Sequence, residues 1–313
     1  MSNVLRNFLD SVDNEEVPFV LITHKNCMDG TGAALAVIKY CDDRGLQRPI
    51  IMPMQYGDKL DMALLADHNI LMTDFSFDRD TLVKLEYVSH NLFIIDHHSS
   101  AEKELDGLDY CYFDMDHSGA SLTWLLLHNE VPELIAYIED RDLWNWKLAK
   151  SKEVSAALNL IGTEEYDKLL TCVSQQATCV SQLMQKGQAI VEYQEGKVDS
   201  VKKKLIKNEI RLVEFEGYLV PMFNNSHLIS EVGNMMSKEH PFSIQYFITM
   251  DEIVFSFRSN NDIDLTTLTI PKGHPNAAGR GFKLNDIDLN KILNAEHDFD
   301  IGFYLIDVLE GRA

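Results

Sequence analysis

Between residues 18 and 140 the chain alternates two kinds of segment, and this alternation narrows the folds open to it more than any other feature. The short apolar runs PFVLIT, PIIMPMQY, NILMTD, NLFIID and YCYFD are of strand length and rich in β-branched and aromatic residues. Between them, TGAALAVIKYCDDR, KLDMALLADH and RDTLVKLEYV have the spacing and composition of helices. Strand and helix in repeated alternation imply right-handed crossovers and an α/β domain with a mainly parallel sheet, helices on both faces. From about 151 to 208 the pattern turns to long polar helices, a helical connector whose lysines at 202–204 read as a solvated face. EIRLVEF, YLVPMF, SIQYFITM and EIVFSFR then read as strands, with Asp251-Glu252 as a hairpin turn and SHLISEVGNMMSKEH as an amphipathic helix. The expected organisation is a first domain over 1–185, a helical linker over 186–208 and a smaller C-terminal α+β domain over 209–313.

In a parallel sheet of this kind ligands sit beyond the C-terminal ends of the strands, and the residues found there share one chemistry. PFVLIT leads into His24, NILMT into Asp74, NLFII into Asp96-His97-His98, and the helical segment ELIAYIE into Asp140. One Asp at a strand end is commonly the cap of the next helix. Capping does not account for four or five such groups delivered to the same edge. Aspartate with histidine and almost no cysteine is a ligand set for Mn²⁺ or Mg²⁺ rather than for structural zinc, and a shared carboxylate can hold two ions about 3.5–4 Å apart. Such a pair neutralises a phosphoryl group and makes hydroxide near neutral pH, so two-metal phosphoester hydrolysis is the leading chemistry. Gly30 and Gly32 open a helix just past the first strand, but without GxGxxG or a Walker lysine they indicate neither a dinucleotide nor an ATP site.

Ile95-Asp96-His97-His98 resembles the signature of the DHH phosphoesterase superfamily, and the flanking segments agree with it. THKNCMDGTGAA at 23–34 is similar to the first motif, TDFSF at 73–77 to the second and YIEDRDLW at 137–144 to the fourth. GHPNAAG at 273–279 resembles the glycine-rich motif of the DHH-associated substrate-binding domain, and Phe257-Arg258-Ser259 the Arg-bearing strand before it. The resemblance implies that His24, Asp29, Asp74, Asp96, His97 and Asp140 are metal ligands, with Asp74 bridging two Mn²⁺ ions and Mg²⁺ as the alternative. It places Asp96, His97 and His98 in the catalytic centre, His98 touching the substrate phosphate or assisting the leaving group. Arg258, Gly273, His274 and Asn276 would grip a nucleotide, and the turn Ser118-Gly119-Ala120 would border the site. Two positions depart from the family's pattern. The commonest first motif has two aspartates separated by one residue, whereas Asn26-Cys27-Met28-Asp29-Gly30 keeps only Asp29, a form similar to an N-C-x-D-G branch of the family. Lys272 stands where the associated motif usually has Gly. Cys27 then has three readings, as a thiolate ligand, a redox-sensitive thiol or a small residue packed behind the loop, and packing is preferred.

Charge bears on the substrate. With 28 Lys+Arg against 49 Asp+Glu the net charge is −21, which argues against a protein that coats long DNA or RNA. Families of this architecture resemble nano-RNases, so the expected function is hydrolysis of short linear oligoribonucleotides to mononucleotides, with a 5′-phosphorylated dinucleotide such as pGpG favoured. The rivals are a pyrophosphate or polyphosphate hydrolase and a nucleotide-binding regulator with a weakened metal site. The partners expected are a short oligonucleotide or dinucleotide, no long nucleic acid and no membrane; a homodimer is left open. Five cysteines without a CxxC pair suit reduced thiols and a cytoplasmic address, and the acidic N-terminal segment does not read as a signal peptide. His68, His90, His128, His227 and His240 lack motif context and read as surface or core histidines; Trp144 and Trp146 read as packing anchors before base-stacking groups.

Overall fold

A computed structural model of the chain describes residues 3–14, 16–207, 209–260, 262–269, 273–293 and 298–311; Lys272 lies outside them. The chain divides into two units, Met1–Val191 and Glu192–Ala313. The first begins with α1 (Asn3–Asp13), β1 (Phe19–His24), α2 (Met28–Arg44), β2 (Ile50–Met54), α3 (Met62–Leu65), β3 (Asn69–Thr73), α4 (Arg79–Val88) and β4 (Asn91–Asp96). It continues through α5 (Ser99–Leu105), β5 (Cys111–Phe113), α6 (Gly119–His128), α7 (Glu133–Asp142), α8 (Ser151–Ile161) and α9 (Tyr166–Gln175) to α10 (Ala177–Ile206), which crosses the boundary between the units.

The strands form one parallel sheet in the order β2-β1-β3-β4-β5. Their continuous apolar runs follow from burial on both faces. Leu21, Leu71, Phe93 and Ile95 point into a core shared with α1, α2, α6 and α7, while Val20, Ile22, Ile70, Met72, Leu92 and Ile94 point into a second core with α3, α4 and α5. The fold class is α/β, as the alternation of segments implies. The order reverses between β1 and β3, and a sheet of this order opens its crevice at that switch point, outside the strands' C-terminal ends. Behind the crevice α2 packs closely against α6: a Cβ on Gly32 would come within 2.8 Å of that of Ala120, and Trp124 Nε1 donates to the Gly32 carbonyl at 3.0 Å. His128 Nε2 lies 2.9 Å from the Ala36 carbonyl, a structural role.

Three features depart from the sequence reading. Residues 3–13 carry no expected element, yet α1 buries Leu5, Phe8, Leu9 and Val12 on one side, a spacing of three and four that defines a helix face. KLDMALLADH yields only the four residues of α3, capped by the Asp61 carboxylate at Ala63 N. Cys172 and Cys179 are joined in a disulfide, which corrects the expectation of reduced thiols throughout. Gln176 reverses the chain between α9 and α10 with φ of 44° and brings the two Cα atoms to 5.3 Å, within disulfide range. Cys27, Cys41 and Cys111 are free.

The second unit continues with β6 (Arg211–Phe215), β7 (Tyr218–Asn224), α11 (Ile229–Met236), β8 (Phe242–Ile248), β9 (Glu252–Ser259), β10 (Gly273–His274), β11 (Ala277–Lys283), α12 (Leu289–Leu293) and α13 (Asp298–Leu309). Its sheet runs β10-β11-β9-β8-β7-β6. Only β7 and β8, joined through α11, pair in parallel among these strands. The glycine-rich segment 273–279 forms the tight β10–β11 hairpin, with Gly273 opposite Ala278 and His274 opposite Ala277. Among the described residues no helix is long and apolar enough to cross a membrane.

Candidate metal centre

β1, β3 and β4 end side by side, and their last residues or the next ones supply His24, Asp74 and Asp96. Asp74 turns the chain off β3 with φ of 54° while its amide donates to the Ile95 carbonyl at 3.0 Å. Asp and Asn tolerate this left-handed geometry better than most residues. The turn leaves Asp74 buried at the centre of the cluster. His97 Nε2 lies 3.1 Å from Asp74 Oδ1, 3.7 Å from Asp29 Oδ2 and 3.6 Å from Asp142 Oδ2. His24 Nδ1 is 3.7 Å from Asp74 Oδ2. Asp96 Oδ1 accepts from the His97 amide at 2.7 Å and lies 2.6 Å from His98 Nδ1. An ionised carboxylate only accepts, so Nδ1 carries the proton of that contact.

Helix starts complete the floor. Asp29 is in the first turn of α2, and its Oδ1 accepts from the Ala120 amide at the start of α6 at 3.2 Å. Two glycines allow the approach: a Cβ on Gly119 would stand 2.6 Å from Asp74 Cβ, and one on Gly30 would stand 2.6 Å from the His24 carbonyl oxygen. Amides and positive helix ends stabilise the negative charge gathered there.

The donor set fits divalent cations. His24, Cys27 and Asp74, then Asp29, Asp74 and His97, then Asp74, Asp96 and His98 each offer ligand atoms within 4.8 Å of one another, and all three sets share Asp74. Asp29 Oδ2, Asp74 Oδ2 and Asp96 Oδ2 are buried without a hydrogen-bond partner, a costly arrangement that coordinated cations would relieve. Burial and the charges of Asp142 and Asp74 push the Asp29 carboxyl well above its ordinary range. Burial also opposes charge on His97, yet its hydrogen bond to Asp74 and the charges of Asp74, Asp29 and Asp142 lift it to about 10. A divalent ion held there would supply the positive charge that the His97 proton otherwise brings to these carboxylates.

Of the residues singled out in the first unit, the structure brings together His24, Asp29, Asp74, Asp96, His97 and His98. It does not bring in Asp140. Both Asp140 oxygens face the next loop, accepting from the amides of Lys147 at 2.9 Å and Leu148 at 3.2 Å. Asp142, two residues on, faces His97 instead and is, with His24, the group most open to solvent, each side chain 26% exposed. Tyr56 also escaped the sequence reading. It lies two residues past the end of β2, beside the strand end that supplies His24, with its ring centroid 6.0 Å from that of His24 and 6.4 Å from that of His98. The rule of strand ends applied to PIIMPMQY would have found it. Trp144 and Trp146 form an edge-to-face pair under the Arg141 guanidinium.

In the second unit, Arg258, His274 and Asn276 gather at one corner of the sheet, because Ala277 of β11 pairs with Arg258 on one side and His274 on the other. Arg258 donates to its own strand at Phe257 O, 2.8 Å away, and α11 packs Gly233 against its aliphatic stem. Ser259 N donates to the Asn276 carbonyl at 3.1 Å, extending the β9–β11 pairing by one residue.

RecJ from Thermus thermophilus, in complex with Mn²⁺, superimposes with a TM-score of 0.54 at 14% identity, over 99% of this chain and 54% of that one. A manganese-bound exonuclease RecJ gives 0.53 at 14% identity over 99% and 93%. The chain has the RecJ fold. It spans about half the length of the Thermus protein. By sequence it is similar to the uncharacterized protein R106 of Acanthamoeba polyphaga mimivirus, 26% identical over 299 residues, 87% of this chain and 69% of that one. No protein-family model matches it.

Proposed function

We propose that this chain is a DHH-type, metal-dependent phosphodiesterase that cleaves short 5′-phosphorylated oligoribonucleotides, pGpG among them, to mononucleotides. The observation that carries the reading is the sharing of Asp74 by three ligand sets whose buried carboxylate oxygens lack partners. His24, Asp29, Asp74, Asp96 and His97 would hold two Mn²⁺ ions, with Mg²⁺ as the substitute and Asp74 between them; Asp142 takes the place expected of Asp140. When bound, such ions polarise a phosphoryl oxygen and make water nucleophilic near neutral pH. The chain's own residues do the rest. Asp96 pins the His98 ring through Nδ1, which orients it for the substrate phosphate or the leaving oxygen. Tyr56, half exposed beside His24, offers a ring on which a base can stack. That ring supports a nucleotide over inorganic pyrophosphate. In the second unit, Arg258, with the Gly273, His274 and Asn276 hairpin, supplies a guanidinium and backbone amides for phosphate oxygens.

A product assay tests this. The full chain with Mn²⁺ is given pyrophosphate, polyphosphate, a cyclic dinucleotide, a 5′-phosphorylated dinucleotide and longer RNAs. Mononucleotides should appear from the linear dinucleotide and cease with a chelator. Hydrolysis of pyrophosphate alone, or of nothing in the panel, overturns the reading.

A further inference from the structure

The loop after β1 holds a thiol to which the mechanism above gives no task. We propose that Cys27 is a metal ligand, and that its Sγ with His24 and Asp74 forms a position selective for a thiophilic divalent cation such as Zn²⁺ over Mn²⁺. The proposal rests on the metal-centre reading of the same cluster and adds an asymmetry to it. Asp29, Asp74 and His97 form an oxygen-rich position suited to Mn²⁺, while the neighbouring position is mixed in sulfur, nitrogen and oxygen.

The placement of the thiol is fixed by its backbone. Asn26 takes a left-handed turn with φ of 56°, and Cys27 follows as the N-cap of α2. Its carbonyl accepts from the Thr31 amide at 3.0 Å and from the Thr31 hydroxyl at 2.8 Å. Sγ, an imidazole nitrogen of His24 and a carboxylate oxygen of Asp74 then lie within 4.8 Å of one another. A second observation points to an ion at the same place. Asp74 Oδ2, which faces His24 Nδ1, is buried with no hydrogen-bond partner, the condition of an oxygen poised to coordinate a cation.

The packing reading of Cys27 meets a physical objection. A cysteine kept as a small hydrophobe sits among apolar side chains, as Cys41 does in the core shared by α1, α2 and α6. Cys27 instead has the His24 imidazole and the Asp74 carboxylate beside its Sγ, polar neighbours against which a thiol gains little dispersion energy. Thiolate selects zinc and other thiophilic ions, whereas carboxylate and water suit Mn²⁺ and Mg²⁺. On binding, the S–H bond is replaced by a sulfur–metal bond and the proton leaves to the buffer. No oxidant or reductant takes part.

Cobalt spectroscopy on the full chain decides the matter. Co²⁺ added without oxygen or free thiols should produce a near-ultraviolet thiolate-to-cobalt charge-transfer band beside the visible ligand-field bands. The band should vanish in Cys27→Ser and persist in Cys111→Ser. X-ray absorption of the zinc-loaded wild-type chain, which needs no variant, should show one sulfur at about 2.3 Å. Cys27→Asp should lower the ratio of Zn²⁺ to Mn²⁺ affinity on the order of tenfold or more. Cobalt bound with ligand-field bands alone, or a charge-transfer band that survives Cys27→Ser, overturns the sulfur ligand and leaves the metal centre standing. Failure of the wild-type chain to bind cobalt, zinc or manganese overturns both.

Discussion

Asp140 accepts hydrogen bonds from the amides of Lys147 and Leu148, while Asp142 approaches His97 to 3.6 Å. Their substitutions therefore separate. Asp140→Ala leaves two backbone donors without their acceptor and should cost about 1–3 kcal/mol, read as a lower urea midpoint at an unchanged slope. Asp142→Asn relieves repulsion from the neighbouring carboxylates and should leave the midpoint level or raised. Its Mn²⁺ affinity, measured by calorimetry, should fall on the order of tenfold to a hundredfold. The opposite pattern, metal loss in the first variant and unfolding in the second, would restore Asp140 to the centre. His24, Asp74 and Asp96 are legible in the sequence because each follows an apolar run of strand length, and one edge of a parallel sheet must collect them. The choice within Glu139-Asp140-Arg141-Asp142 is not legible. It depends on a loop in which Trp144 and Trp146 adopt φ of 57° and 53°, and no periodicity announces left-handed tryptophans.

At the scale of elements, the start of α6 is held against β3 by the absence of a side chain. Gly119→Ala would put a methyl 2.6 Å from Asp74 Cβ and 2.9 Å from its Oδ1, so either the helix start or the carboxylate must shift. The expected outcome is weakened Mn²⁺ binding with the circular dichroism spectrum preserved; unchanged affinity would show that the loop absorbs the methyl. Two glycines of α10 predict opposite signs. Gly187 lies against the Glu153 backbone of α8, so Gly187→Ala overpacks a helix crossing and should destabilise by about 1–3 kcal/mol. Gly196 has nothing within 4 Å of a new Cβ, and Gly196→Ala should stabilise by roughly 0.5–1 kcal/mol through helix propensity. Thermal unfolding of both variants checks the pair. The parallel strands can be read from their apolar runs. The β10–β11 hairpin cannot, because its two-residue first strand is too short to show alternation, and the Cys172–Cys179 bridge cannot, because it depends on the reversal at Gln176.

For the whole molecule, a net charge of −21 sets a field that opposes long polyanions. On the proposed activity, kcat/KM should fall at least about tenfold from a dinucleotide to a twenty-mer at low salt. The gap should narrow as salt shortens the screening length below about 8 Å. A length preference indifferent to salt would assign the selection to the shape of the site rather than to charge. The division of the chain at Val191 and Glu192 falls inside α10, a helix of 30 residues. A cut at that boundary therefore falls within a helix rather than in a loop. A gene fusion, a protease or a recombination event that parts the two must break consecutive i to i−4 hydrogen bonds in mid-helix and expose two frayed ends. The two units are in that sense inherited as one piece.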